Sequence, residues 1–341
     1  MKLGNSIIIL AVAAFGAVSC NLFNNLGLGV NVPVDKKTET SAPKFLGIED
    51  DSNIAPDANG DLKINAVAQK EIVSQPISVP VQSDTKIGEL IIKATKPEIA
   101  KDADIEPAAL ILEFENPSPE PVTFKGTVVS GGEEAVITVV VPAGKKPHTV
   151  VFGADVKKDE YPAGTEVVQP EKKLEKVLAE PIHQDVKIDF ELIPGTKTIV
   201  PAAASYTFKV DGSLAIPFSF PAGTKIYITR SFRDLGLNLG DYDIKADKFD
   251  IIGSITSTIP FDIACTGKDV NGVTAKTENP VKAGSTRNPV TSDVVIKVAG
   301  ANAEKSIDEV QAVFELTATQ GARLNKGQSL KINYDSIKVN I

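Results

Sequence analysis

Few side chains in this 341-residue sequence are of types that commonly perform chemistry: Cys20 and Cys265, His148 and His183, one Met and no Trp. His148 follows Lys145-Lys146-Pro147 and His183 follows Pro181. Neither has an acidic or Cys companion at the spacing of a zinc site, which takes three or four N, S or O ligands, so both read as surface histidines. Asp57-Ala58-Asn59-Gly60-Asp61 places oxygens at the first, third and fifth positions of a calcium loop. Such a loop needs Gly sixth and Glu twelfth. Leu62 and Ala68 stand there, so the segment reads as a polar turn, as does Asp269-Val270-Asn271-Gly272.

Nucleophilic and phosphate chemistry find no foothold. Gly253-Ser254 and Gly284-Ser285 lack the second glycine of a nucleophile elbow. No Walker A sequence and no G-x-G-x-x-G is present. The 44 acidic residues always permit a carboxylate pair, yet most fall on the solvent phase of alternating segments. The expectation is a chain that is not an enzyme, with no catalytic, cofactor-binding or metal-binding residue. A net charge of −8 argues against nucleic acid as a partner, because phosphates must be neutralised by basic residues.

The elements around these residues begin with a leader. Lys2 gives a positive start and Ile7 to Ala17 an apolar stretch, too short to span a bilayer and suited to a signal peptide. The stretch ends Ala17-Val18-Ser19-Cys20. On these residues the chain resembles bacterial lipoproteins of the lipobox class, although Ala17 stands where Leu is usual. The resemblance implies removal of residues 1–19 and acylation of Cys20, which anchors the chain in a membrane of the cell envelope. Asn21, in place of the Asp that marks inner-membrane retention in that class, implies the outer membrane. The implied partners are that membrane and an unidentified envelope protein. With Cys20 lipidated, Cys265 has no partner for an intrachain disulfide, and its place in an apolar phase makes it a core thiol.

Length suggests two domains, and 42% apolar with 23% charged residues is ordinary for a folded chain. Asn21 to Pro43 carries no sustained periodicity and reads as part of a lipidated tether over 20–43. Beyond it, period two dominates, punctuated by Pro and Gly. Leu110 to Phe114, Val122 to Val128, Ala135 to Val141 and Val150 to Phe152 form a meander of strands, with the all-apolar Ala135 to Val141 expected to be buried on both faces. Pro-Ala-Gly at 142–144, 162–164 and 221–223 marks recurring turns. Leu174, Val177 and Leu178 share one face of a short helix, expected to link an N-terminal β-sandwich-like domain (44–165) to a C-terminal β-rich domain (181–341) across 166–180.

Two alternations in the second half are unusually long. Tyr206 to Phe220 keeps eight successive even positions, and Phe249 to Cys265 keeps nine odd ones. Asp211-Gly212 suggests a hairpin within the first. Gly253 or Pro260 suggests that the second is one strand bending between two sheets. Val310 to Ala318 reads as a strand, and a final strand from Leu330 breaks register at Asp335-Ser336.

The fold class expected is thus all-β: two antiparallel β-sandwich-like domains after a signal peptide and tether. The expected function is a non-catalytic, lipid-anchored lipoprotein presenting β domains for interaction, adhesion or assembly. Two alternatives are a subunit resembling the fimbrillins, polymerising by exchange of the Leu330 to Ile341 strand, and a lipid-binding module with an apolar groove.

Overall fold

A computed structural model describes residues 30–57, 59–94, 97–154, 156, 158, 161–179, 184–194, 204–301, 304, 306–319 and 322–339. The fold is all-β with antiparallel sheets, as the alternation predicts. The chain opens on β1 (Val30–Ser41) and a one-turn helix, Ala42–Leu46. It continues through β2 (Ile54–Pro56), β3 (Leu62–Val67), β4 (Ile72–Val73), β5 (Ile77–Val79), β6 (Thr85–Ile92), β7 (Ala109–Asn116) and β8 (Val122–Ser130). Then come β9 (Glu133–Val141), β10 (Gly144–Phe152), β11 (Glu166–Val168), the helix Lys172–Ala179, β12 (Val186–Ile193), β13 (Ala204–Tyr206), β14 (Lys209–Pro217) and β15 (Ser219–Phe220). The last part holds β16 (Lys225–Ser231), β17 (Lys248–Ser257), β18 (Phe261–Val270), β19 (Val273–Thr277), β20 (Val290–Ala299), β21 (Gln311–Ala318), β22 (Ala322–Arg323) and β23 (Ser329–Val339).

The strands gather into two compact units, and the division is not the one the sequence suggests. One unit spans 48–221 with 323–326; the other combines the segment up to Gly47 with 222–322 and 327–341. The helix at 172–179 does bury Leu174, Val177 and Leu178, but it packs on β8 and β9 and so belongs within the first unit. It does not link two domains. β12, expected to open a second domain, pairs with β6 on one side and β8 on the other. The local change of texture at 162–181 marks a helix inside a sandwich, while the true division lies where the chain leaves one core and later returns to it.

In the 48–221 unit, the four-stranded sheet β6-β12-β8-β9 faces a larger one containing β11-β10-β7-β14-β3-β2. Phenylalanines join the faces: Phe114 of β7 lies 4.8 Å from Phe124 of β8 and 5.8 Å from Phe190 of β12, ring centre to ring centre. Tilted and edge-on contacts at these distances add to the apolar burial that stabilises such a core. Asp211-Gly212 is not a hairpin. Both residues lie within β14, where Gly212 pairs with Leu112. Its missing side chain leaves room for Leu90 and Leu112, whose methyl carbons would lie 2.8 and 2.9 Å from a Cβ there. The glycine serves close packing and not a turn.

The other unit orders its strands β1-β23-β17-β20-β19-β18-β21-β16. The expectation of a single bending strand over Phe249 to Cys265 is half met. The alternation does pass between two groups of strands, but it breaks at 258–260 into β17 and β18, where Pro260 supplies no backbone donor. β18 then pairs with β21 over Phe261 to Cys265 and with β19 over Thr266 to Val270. The register break at Asp335 is a β-bulge: Tyr334 and Ser336 face Gly253 and Ile252 directly, leaving Asp335 between them unpaired.

The tether expectation is corrected in part. Residues 30–41 form β1, paired along its length with β23, and 42–46 form the helix that follows. Alternation is present in Val30, Val32 and Val34, but the half-buried even face continues with Lys36, Thr38 and Thr40, which hides the apolar signal. The expected signal peptide over 1–19, Cys20 and the residues up to 29 lie outside the described residues.

Candidate interaction surface

The residues singled out for chemistry are mostly occupied by internal contacts. Cys265 is buried, and loss of solvent pushes its thiol up to about 12, so it stays protonated and inert. His148 Nε2 lies 3.1 Å from Glu166 Oε2, a carboxylate brought alongside by the parallel pairing of β10 and β11. Spacing in the sequence could not show that neighbour; the two form a pair, not a ligand set. His183 lies outside the described residues.

Asp57 and Asp61 flank the β2–β3 turn. Asp57 Oδ1 accepts from the backbone N–H of Asn59 (2.9 Å) and of Asp61 (3.0 Å), while Oδ2 meets Lys63 Nζ at 3.0 Å. This carboxylate is committed to holding a turn. Asp269 does the same, accepting from Gly272 N–H at 2.9 Å in the β18–β19 hairpin, where Asn271 and Gly272 both have positive φ. Ser254 sits within the β17–β20 ladder opposite Asp293, and Ser285 Oγ accepts from Asn288 N–H in a turn. Among the described residues, no group of three or more His, Cys, Asp or Glu is placed to hold a metal ion. No helix among them is long and apolar enough to cross a membrane.

Surface chemistry is more informative at the strand edges, where unpaired N–H and C=O groups invite another strand. Most edges are blunted. β1 carries Pro33, Lys36, Lys37 and a bulge. β16 ties Lys225 to Glu315 at 2.8 Å, and β6 ties Lys86 to Asp189 at 2.9 Å beside a register shift. β2 and β11 are three residues each.

β9 is different. It is nine residues long, ends its sheet, and has no charge or proline after Glu134. The expectation that Ala135 to Val141 is buried on both faces is wrong. Ala135, Ile137, Val139 and Val141 point inward, but Val136 and Val140 are 55% and 60% exposed. Their side chains lie on the face turned away from the partner sheet, and no described residue covers them there. Beside residues 134–138 an open groove of about 480 Å³ separates this edge from Phe152, Val168 and Glu171.

No protein-family model matches the chain, and no curated protein matches it either. Among solved structures it is similar to a Parabacteroides distasonis protein provisionally described as secreted, with a TM-score of 0.56 at 14% identity over 92% of this chain and 99% of that one. The likeness is one of fold. An exo-β-agarase (TM-score 0.25, 11% identity, 56% of this chain and 24% of that chain) shares no such likeness. Nor does a Broad Bean Stain Virus structure (TM-score 0.25, 11% identity, 86% of this chain and 94% of that chain).

Proposed function

We propose that this chain is a non-catalytic lipoprotein of the cell envelope, anchored through lipid on Cys20 and presenting its β-rich units for interaction, adhesion or assembly. The observation that carries the reading is the Ala17-Val18-Ser19-Cys20 sequence, ten residues ahead of the first strand. At no more than about 3.6 Å per residue, those ten residues let the start of β1 lie at most about 35 Å from the anchored sulfur. Two or more acyl chains hold a protein firmly where a single chain does not. An outer-membrane address follows from Asn21 by the same resemblance.

The non-catalytic part rests on how the reactive side chains are engaged, with Cys265 buried and Asp57 and Asp269 holding turns. The alternatives gain less support. β23 lies between β1 and β17, so donating it to another subunit would strip two ladders at once. Inside that unit the apolar cavity beside Cys265 holds about 20 Å³, room for a water molecule and not for an acyl chain.

The test is membrane fractionation with a fatty-acid label, comparing the native chain with Cys20→Ala. The native chain is expected to take up label and sediment with membranes, and the variant to lose both. A variant that remains membrane-bound, or a native chain without label, overturns the anchoring.

A further inference from the structure

We propose that β9 is a self-association edge, at which a second copy of this chain adds its own β9 antiparallel across a two-fold axis through Thr138. The inference holds whether or not Cys20 is acylated. It rests first on the edge having no second strand: among the described residues β9 pairs only with β8, and it has no proline or lysine to repel an incoming strand, while the helix Lys172–Ala179 packs near it and walls the groove beside residues 134–138.

Second, the strand is chemically symmetric about Thr138. Counting outward in both directions gives Ile137 and Val139, then Val136 and Val140, then Ala135 and Val141. Residues opposite one another in an antiparallel pair share a face, and each copy's odd residues point inward here. A two-fold axis on Thr138 therefore sets Val136 against Val140 of the second copy on the outer face. It sets Ile137 against Val139 of the second copy within. The two most exposed valines of the strand cover each other, twice per pair. Moving the axis to Ile137 sets Glu134 opposite Val140, moving it to Val139 sets Val136 opposite Pro142, and half-residue registers set inward side chains against outward ones.

Third, the ends match. Glu133 and Glu134 open the strand, while Pro142 ends it and exposed Lys146 follows. In the Thr138-centred register Glu134 meets Pro142 of the second copy, which has no N–H to extend the ladder. Each acidic start is then directed toward the basic segment of the other copy. The interface is isologous and closed, as two-fold pairing requires, so it yields dimers and not filaments.

Cross-linking reads the register directly. In the full chain carrying Cys20→Ser, with Cys265 buried, Thr138→Cys is expected to form a disulfide-linked dimer by itself. Directly opposed residues in an antiparallel pair have Cα atoms about 4.5 or 5.5 Å apart, within disulfide range. Val136→Cys alone is expected to stay uncross-linked, and a mixture of Val136→Cys with Val140→Cys to link. In sedimentation, Val136→Lys should weaken the dimer about tenfold or more, since the charge enters both symmetric contacts. Val67→Lys, a comparably exposed site on β3, should leave it unchanged. A native chain monomeric at its highest soluble concentration overturns the proposal. So does equal cross-linking by all three cysteines, or a Val67→Lys effect matching that of Val136→Lys.

Discussion

Arg230 Nε donates to the carbonyl oxygen of Phe45 at 2.7 Å, closing the C-terminal end of the one-turn helix that follows β1. Its Nη1 donates to Thr229 O at 2.8 Å, and burial lowers the guanidinium below its ordinary value. Gly47, at φ 70°, ends the helix by donating to Lys44 O at 3.1 Å, and a side chain on it would collide with the Arg230 guanidinium. Gly47→Ala should therefore cost about 1–2 kcal/mol from the left-handed backbone alone, and more by displacing Arg230. Arg230→Met should cost about 2 kcal/mol through lost charged hydrogen bonds. Because both changes break one contact, the double variant should be less destabilised than the sum in urea melts. Additive costs would show that the two residues act separately.

Asp57 makes stability depend on acid. Partial burial pushes its carboxyl up, but Lys63 and the N–H groups of Asp61 and Asn59 outweigh that and hold it below the ordinary 3.8. A depressed carboxylate contributes stability that is fully present above its unfolded value and is lost as pH falls through the folded one. The window thus opens near 3.8 and extends downward. Asp57→Asn keeps an acceptor for the turn but loses the Lys63 pair. It should reduce stability at neutral pH by on the order of 1 kcal/mol, and the deficit should vanish at the acid end. A deficit that persists unchanged at low pH would mean the loss is steric.

Much of this architecture is legible in period two, because that signal reports which way a side chain faces. Val186, Ile188, Phe190 and Leu192 all point inward as their spacing requires, and Asp335 breaks register where the pattern does. What period two does not report is the partner. β14 pairs with β3 and β7, more than a hundred and about a hundred residues away, so β12 and β14 read locally as the start of a new domain. The edge position of β9 is likewise a property of its neighbours. Its polar even positions, Glu134 and Thr138, were the available sign that one face meets water. Asp211-Gly212 has hairpin chemistry in isolation, but Leu90 and Leu112 converge on that glycine only in the folded core. The proposed anchor rests on a resemblance in four residues, Ala17 to Cys20.

The buried thiol offers a simple check on core integrity. Cys265 is 3% exposed, and its backbone N–H donates to Thr277 Oγ1 at 3.1 Å, holding β18 against its neighbour. With Cys20 replaced, a thiol-reactive chromophore at pH 8 should find no reactive group in the folded chain and one after denaturation. Removing Cys265 by Cys265→Ala should leave a small cavity and cost about 1–2 kcal/mol. Rapid labelling of the native chain would show that this strand opens readily.

Two strand glycines with similar surroundings in sequence should differ in what they tolerate. At Gly212 an added methyl meets leucine side-chain ends at 2.8 and 2.9 Å, which can shift, and the Ile111 carbonyl oxygen only at 3.3 Å. At Gly253 it meets the carbonyl oxygen of Asn333, fixed in the backbone of β23 beside the Asp335 bulge. Gly212→Ala should therefore cost about 1 kcal/mol, within the range of modest overpacking. Gly253→Ala must move a central strand away from its neighbour and should cost about 3 kcal/mol or more. Thermal melts of both variants, with hydrogen exchange along β17 and β23, separate the cases. Equal losses, or exchange at Gly253→Ala no faster than in the native chain, would mean the bulge yields easily and does not fix the register.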